Sequence, residues 1–175
     1  MSIERADVLV VGGGPAGAVA AFQLAKAGVD VLLIDRATFP RDKTCGESLS
    51  PGAIERLRVM GMWQPHLPDH PNSSDRSRSQ AIDGMRVSSP KGTTFHGMYR
   101  RSTHGMGLGI RRKALDAELL NAAIGKGVRV LEGTEAFDGD GGPDQTAIVH
   151  ARAGRRGTSL SIHARRVIVA DGRRS

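Results

Sequence analysis

Residues 7–35 read DVLVVGGGPAGAVAAFQLAKAGVDVLLID, and this stretch decides the fold. Asp7-Val8-Leu9-Val10-Val11 is too short for a helix and rich in Val, which predicts a buried parallel strand. Gly12-Gly13-Gly14-Pro15-Ala16-Gly17 is a tight turn. Ala18–Ala27 reads as a helix, with Ala21, Leu24 and Ala25 on one face and Gly28 as its C-terminal stop. Val31-Leu32-Leu33-Ile34 is a second buried strand ending at Asp35. Strand, turn, helix and strand make a compact βαβ unit whose crossover is right-handed. The predicted class is α/β, with a Rossmann-like start.

The glycines give the turn its chemistry. Gly12 lets the chain leave the strand sharply. Gly14 lets backbone approach a diphosphate with no Cβ in the way, and Gly17 lets the helix pack closely on the strand. Pro15 and Ala16 complete the first turn. There, unpaired N–H groups and the positive end of the helix dipole suit an anion. Asp35 stands 18 residues after Gly17, where a carboxylate accepts hydrogen bonds from an adenosine ribose. A glycine-rich βαβ turn with no ligand is the bland alternative. Turn, helix and acid together favour the dinucleotide.

Working outward, Thr38–Pro51 is irregular by composition, and Ser50-Pro51 opens a helix over Gly52–Met60. Pro65–Gln80, with three prolines and many Ser, Asp and Asn, reads as a loop. Ala81–Arg100 reads as two strands joined by a turn, part of a small antiparallel sheet. Lys113–Lys126 is an amphipathic helix, with Leu115, Leu119, Ala122 and Ala123 on one face and Gly127 as its end. Val128–Leu131 reads as a strand and Asp138–Pro143 as a turn cluster. Ala147–Arg152 and Thr158–His163 read as a hairpin. Val167–Ala170 is a final buried strand running into Asp171-Gly172. The expected organisation is a dinucleotide-binding core over 1–80, partial substrate-domain strands over 81–110, and a return to the first domain over 111–175.

The whole-chain numbers agree with a soluble globular domain. Of 175 residues, 39% are hydrophobic and 25% charged. No apolar run reaches the ~20 residues that span a bilayer. Residues 1–7 do not read as a signal peptide. A lone cysteine, Cys45, cannot form an internal disulfide, which makes a cytoplasmic chain the default expectation. The net charge of +7 suits nucleic acid, an anionic surface or a phosphorylated ligand. Because the basic residues are scattered, and Phe, Trp and Tyr total only six, nucleic acid is not an expected partner. Nothing in the sequence supports membrane-surface contact. The histidines show no metal-ligand spacing, so no metal is expected. Ser48 lacks the G-x-S-x-G setting of a hydrolase.

Four segments, in order, carry a resemblance. Gly12, Gly14, Gly17, Ala21, Leu24, Gly28, Val31 and Asp35 resemble the longer FAD-type dinucleotide fingerprint, with Asp35 where Glu is commoner. Phe39-Pro40-Arg41-Asp42-Lys43-Thr44-Cys45-Gly46-Glu47-Ser48-Leu49-Ser50-Pro51 is similar to the second motif of geranylgeranyl-reductase-type flavoproteins. These fall within the p-hydroxybenzoate-hydroxylase-like group. Arg112-Lys113-Ala114-Leu115-Asp116 resembles that group's R-x-x-L-D segment. Ala170-Asp171-Gly172 resembles its DG motif, with Val169 where Gly is usual.

The resemblance implies FAD as cofactor and NAD(P)H as electron donor. It also implies a small hydrophobic substrate that is reduced, with oxygenation or halogenation as the alternative branches. Residue by residue, it implies that backbone at Gly12, Gly14, Pro15, Ala16 and Gly17 holds the diphosphate. Asp35 takes the ribose, and Arg36 lies beside adenine. Cys45 and Gly46 lie along the flavin or ribityl side, Arg112 contacts the flavin nucleotide, Ala136 meets adenine through its backbone, and Asp171 organises the diphosphate region. No catalytic acid or base is assigned.

Bland readings stand beside these. Arg41 and Lys43 serve equally as solvated loop charges, Cys45 as a small buried hydrophobe, and Asp116 as a first-turn stabiliser of its helix. Members of the group continue well past the DG motif, so the chain reads as an N-terminal part with a missing C-terminal half or partner chain. Alone, it is expected to hold FAD weakly and to turn over little. A non-catalytic nucleotide-binding or assembly module is the reading from another class.

Overall fold

The computed structural model describes residues 2–44, 47–63, 79–99, 105–142, 146–154 and 157–172. The chain divides into two compact units, residues 1–42 with 115–175 and residues 43–114.

The first unit is built on a six-stranded sheet. Its strands are β1 (Ser2–Val11), β2 (Val31–Asp35), β8 (Arg129–Glu132), β9 (Thr134–Gly141), β10 (Ala147–Ala153) and β11 (Thr158–Val169). Their spatial order is β8-β2-β1-β11-β10-β9. The four strands from β8 to β11 run parallel, while β10 and β9 are antiparallel additions. Helix α1 (Pro15–Lys26) connects β1 to β2. The whole of β2 is buried, as are Val8, Leu9 and Val10 of β1. An aliphatic core on Leu9, Leu32, Ile34, Ala151, Leu160 and Ile162 welds the parallel and antiparallel halves together.

Helix α1 begins at Pro15, three residues before the predicted start. Proline suits a first turn because its missing N–H would have had no partner there. Its buried face is Gly17, Ala18, Ala21 and Phe22; Leu24 and Ala25 are only half-buried. Small residues along this face let the helix lie close to the sheet, and Phe22 supplies the volume.

Two readings of the C-terminal region are corrected. Asp138–Gly141 is not a turn but the outer half of β9, each residue opposite one of β10. The segment lies on an exposed sheet edge, where backbone pairing overrides the low strand propensity of Asp and Gly. Thr158–His163 and Val167–Ala170 are not separate strands. The single strand β11 runs from Thr158 to Val169 and pairs with β1 from Ser2–Leu160 to Val11–Val169. Arg165 and Arg166, which break the apolar pattern, point to opposite faces of the strand and are both exposed. The end of β11 is not buried as expected, since Val169 is 68% exposed.

In the second unit, β3 (Ser48–Leu49), β7 (Gly107–Ile110) and β4 (Ser79–Ile82) form a three-stranded antiparallel sheet. A separate hairpin joins β5 (Gly84–Ser88) to β6 (Thr94–Met98). Helix α2 (Pro51–Met60) is capped by Ser50, whose Oγ accepts the Ala53 N–H at 3.2 Å. It ends on Gly61 in the left-handed region. Helix α3 (Arg112–Ile124), which belongs to the first unit from Leu115 onward, buries Leu115, Asp116, Leu119, Leu120 and Ala123; Ala122 is half-buried. Most of the loop predicted over Pro65–Gln80 lies outside the described residues, and its last two belong to β4. No helix among the described residues is long and apolar enough to cross a membrane.

Candidate dinucleotide site

The site is built at the carboxyl ends of β1, β2 and β11, where open α/β sheets take their ligands. Gly12 follows β1 with φ +106°, a conformation that L side chains avoid. Its N–H donates to the Ile34 carbonyl at 2.8 Å. A Cβ at Gly12 would fall 2.5 Å from the Ala170 carbonyl oxygen, because the DG segment passes directly beside the bend. The Ala170 N–H donates to the Val11 carbonyl at 2.7 Å, which holds that segment there. A Cβ at Gly17 would fall 1.8 Å from the Gly12 carbonyl oxygen, so the helix start and the bend touch through bare backbone.

Gly14 differs from both. It precedes α1 with φ −69° and ψ −179°, and no side chain caps the helix. The Ala18 N–H reaches the Gly14 carbonyl at 2.9 Å as the first helical bond. Pro15 has no N–H, and Ala16 and Gly17 lie in the first turn, where N–H groups have no intrahelical acceptor. Among the described residues, a Cβ at Gly14 would meet only Arg41 Nη2, at 3.6 Å. The face above Gly14 is therefore a cradle that needs no side chain for folding, edged by a guanidinium. Such a place fits a diphosphate.

Asp35 is buried at the end of β2. Its Oδ2 accepts the Gly13 N–H at 2.7 Å, and its Oδ1 accepts the Ala37 N–H at 2.8 Å. The carboxylate is thus turned toward the glycine bend and fixed there by two backbone donors. A carboxylate offers about four lone-pair directions, so roughly two remain for a ligand's hydroxyl groups.

Arg36, Ala136 and Asp171 lie in the same unit as this centre. Arg36 is largely exposed and lies 3.9 Å from Glu135 in a weak surface pair. Ala136, on β9, pairs with Ala151 beside a β-bulge, and its side chain packs on the aliphatic core. Any contact it offers a ligand is through its backbone. Asp171 follows β11, and its backbone nitrogen would be 2.7 Å from a Cβ at Gly12. Arg112 is the first residue of α3 and belongs to the second unit. Cys45 and Gly46 lie outside the described residues.

The structure adds Arg41 and Asp116, which the sequence left undecided, and Phe39, to which it gave no role. Arg41 is not a solvated loop charge: its side chain is only 14% exposed. Its Nη1 lies 3.2 Å from Asp116 Oδ2, and its Nη2 lies 3.9 Å from Asp35 Oδ2. Asp116 is fully buried, so its carboxylate serves the guanidinium rather than merely the helix start. The Phe39 ring lies under the guanidinium at 4.7 Å and within 3.1 Å of where a Gly13 Cβ would stand. No periodicity or spacing signals this group, because its members are joined only by the fold.

Comparison with known proteins agrees with this geometry. The FAD binding domain family matches residues 5–175. The chain is 38% identical to a menaquinone reductase of Mycobacterium tuberculosis, over 100% of this chain and 40% of that protein. It is 34% identical to digeranylgeranylglycerophospholipid reductase 1 of Methanothermobacter thermautotrophicus, over 97% of this chain and 40% of that protein. The fold superposes on a geranylgeranyl bacteriochlorophyll reductase-like protein of Thermoplasma acidophilum with a TM-score of 0.79 and 27% identity. That match covers 98% of this chain and 40% of the other. The myxobacterial chondrochloren halogenase gives a TM-score of 0.79 at 29% identity, over 98% of this chain and 38% of its own. The chain thus spans about two fifths of the length of these relatives. With the glycine cradle, the acid of β2 and a family match over nearly every residue, the chain belongs to the FAD binding domain family.

Proposed function

We propose that this chain is the dinucleotide-holding part of an FAD-dependent oxidoreductase that acts on a hydrophobic organic substrate, with NAD(P)H as electron donor. Bound FAD supplies the redox chemistry, and the protein supplies placement and electrostatics. Gly12–Gly17 hold the diphosphate by backbone. Asp35 orients the adenosine ribose. Arg36 and the Ala136 backbone border adenine, Asp171 lies by the diphosphate, and Cys45, Gly46 and Arg112 serve the flavin side.

The open face above Gly14, at the start of α1 and within reach of the fixed Asp35 carboxylate, carries this reading. Reduction of an isoprenoid-bearing lipid is the favoured reaction. The menaquinone reductase and digeranylgeranylglycerophospholipid reductase, at 38% and 34% identity, both carry names for such substrates. Halogenation is the second reading, supported by the superposition on the chondrochloren halogenase. The test is a visible spectrum of the purified chain with added FAD, followed by anaerobic addition of NADH and NADPH in turn. A flavin band shifted at high FAD supports the dinucleotide-holding role, and bleaching with either donor supports the oxidoreductase reading. Free-flavin spectra throughout would overturn it.

A further inference from the structure

We propose that Arg41 is the cation of the dinucleotide cradle: held by Asp116, it takes the diphosphate at Gly14 and leaves Asp35 to the ribose. This rests on the FAD reading above.

Three observations carry it. First, Arg41 Nη1 is buried 3.2 Å from Asp116 Oδ2 and makes no hydrogen bond among the described residues. The contact balances charge without aligning a donor. Nη1 is thus engaged on the protein side, which leaves Nη2 as the nitrogen toward Gly14. Second, Nη2 is 3.6 Å from where a Gly14 Cβ would stand, at the edge of the anion-binding start of α1. Its distance to Asp35 Oδ2, 3.9 Å, is beyond hydrogen bonding. Asp35 already holds two backbone N–H groups, so that contact can be given up without orphaning the carboxylate. Third, the guanidinium is fixed in orientation by the Phe39 ring at 4.7 Å and by a carboxylate with no solvent exposure. A planar fork held on two sides is pre-organised for phosphate oxygens. A lysine here would offer charge without the fork.

The experiment titrates the 175-residue chain with FAD, ADP and adenosine by calorimetry at two salt concentrations. It compares wild type, Arg41→Lys, Arg41→Met and the double variant Arg41→Met/Asp116→Leu. The double variant removes both buried charges and so keeps a measurable fold if Arg41→Met alone unfolds. Arg41→Met, or the double variant, is expected to weaken FAD and ADP about tenfold or more, the loss of a charged hydrogen bond. Adenosine affinity should stay within about twofold and the salt dependence of ADP binding should shrink, since only a phosphate contact has been lost. Arg41→Lys should recover part of the ADP affinity. Unchanged ADP and FAD affinities, or equal losses for adenosine and ADP, would overturn the inference and leave the FAD reading standing. Arg41-dependent ADP binding with no FAD binding would overturn the FAD reading instead. Binding of neither by wild type would overturn both.

Discussion

Gly17 and Gly12 meet with no room for a methyl group between them: a Cβ on Gly17 would stand 1.8 Å from the Gly12 carbonyl oxygen. The obstacle is backbone, which cannot rotate away as a side chain can. Gly17→Ala is therefore expected to push α1 off β1. It should destabilise the chain by at least the ~1–3 kcal/mol typical of overpacking. Urea unfolding followed by circular dichroism checks this, and an unchanged midpoint would refute the close packing described.

Gly14→Ala should behave in the opposite way. With φ −69° and, among the described residues, only Arg41 Nη2 nearby at van der Waals distance, an added methyl fits the backbone. Stability is expected to stay within about 0.5 kcal/mol of wild type. The methyl would, however, occupy the face offered to the diphosphate, so FAD affinity should fall about tenfold, or ~1.4 kcal/mol. The contrast between positions 14 and 17 separates a glycine needed by the ligand from one needed by the fold. Unfolding and FAD titration of both variants measure it.

The nature of this centre explains how much of it was legible in sequence. The local elements were readable in kind, namely the valine-rich β1, the glycine bend, the helix after it and Asp35 at the end of β2, although β1 starts five residues and α1 three residues earlier than expected. Each depends on neighbours within one βαβ unit. What depended on remote pairing was not. Asp138–Gly141 has turn composition and becomes strand only because β10 lies alongside. Arg165 and Arg166 interrupt an apolar pattern, yet β11 continues because β1 pairs with it throughout. Arg41, Phe39 and Asp116 looked like unrelated residues because Asp116 reaches Arg41 from a helix seventy-odd residues later in the chain.

The Arg41–Asp116 pair makes its own stability prediction. Removing one member leaves the other buried without its counter-charge, which costs ~3–5 kcal/mol. Asp116→Leu alone is expected to lose less than that, because Arg41 keeps the Asp35 carboxylate at 3.9 Å and a slight exposure. Arg41→Met/Asp116→Leu should lose less than the sum of the two single variants, because neither charge is left stranded. A double-mutant cycle on unfolding free energies decides the matter. Strict additivity would mean that the pair has no coupling.

Asp35 tests the sugar side of the site. Replacing it by Ala removes the acceptor of the buried Gly13 N–H and of the Ala37 N–H. An unsatisfied buried donor costs ~1–3 kcal/mol, so the unfolding midpoint should fall. The same change takes away the group offered to ribose hydroxyls, and adenosine itself should bind more weakly. Asp35→Asn makes the finer probe. Its amide oxygen still accepts one backbone N–H, so much of the stability should return. Its NH2 group, placed where the second oxygen was, faces a backbone donor or a hydroxyl with the wrong polarity. Adenosine affinity should therefore remain low in Asp35→Asn while the fold recovers. That split would assign the carboxylate to ligand recognition as well as to the bend, whereas parallel recovery of both would confine Asp35 to holding Gly13 in place.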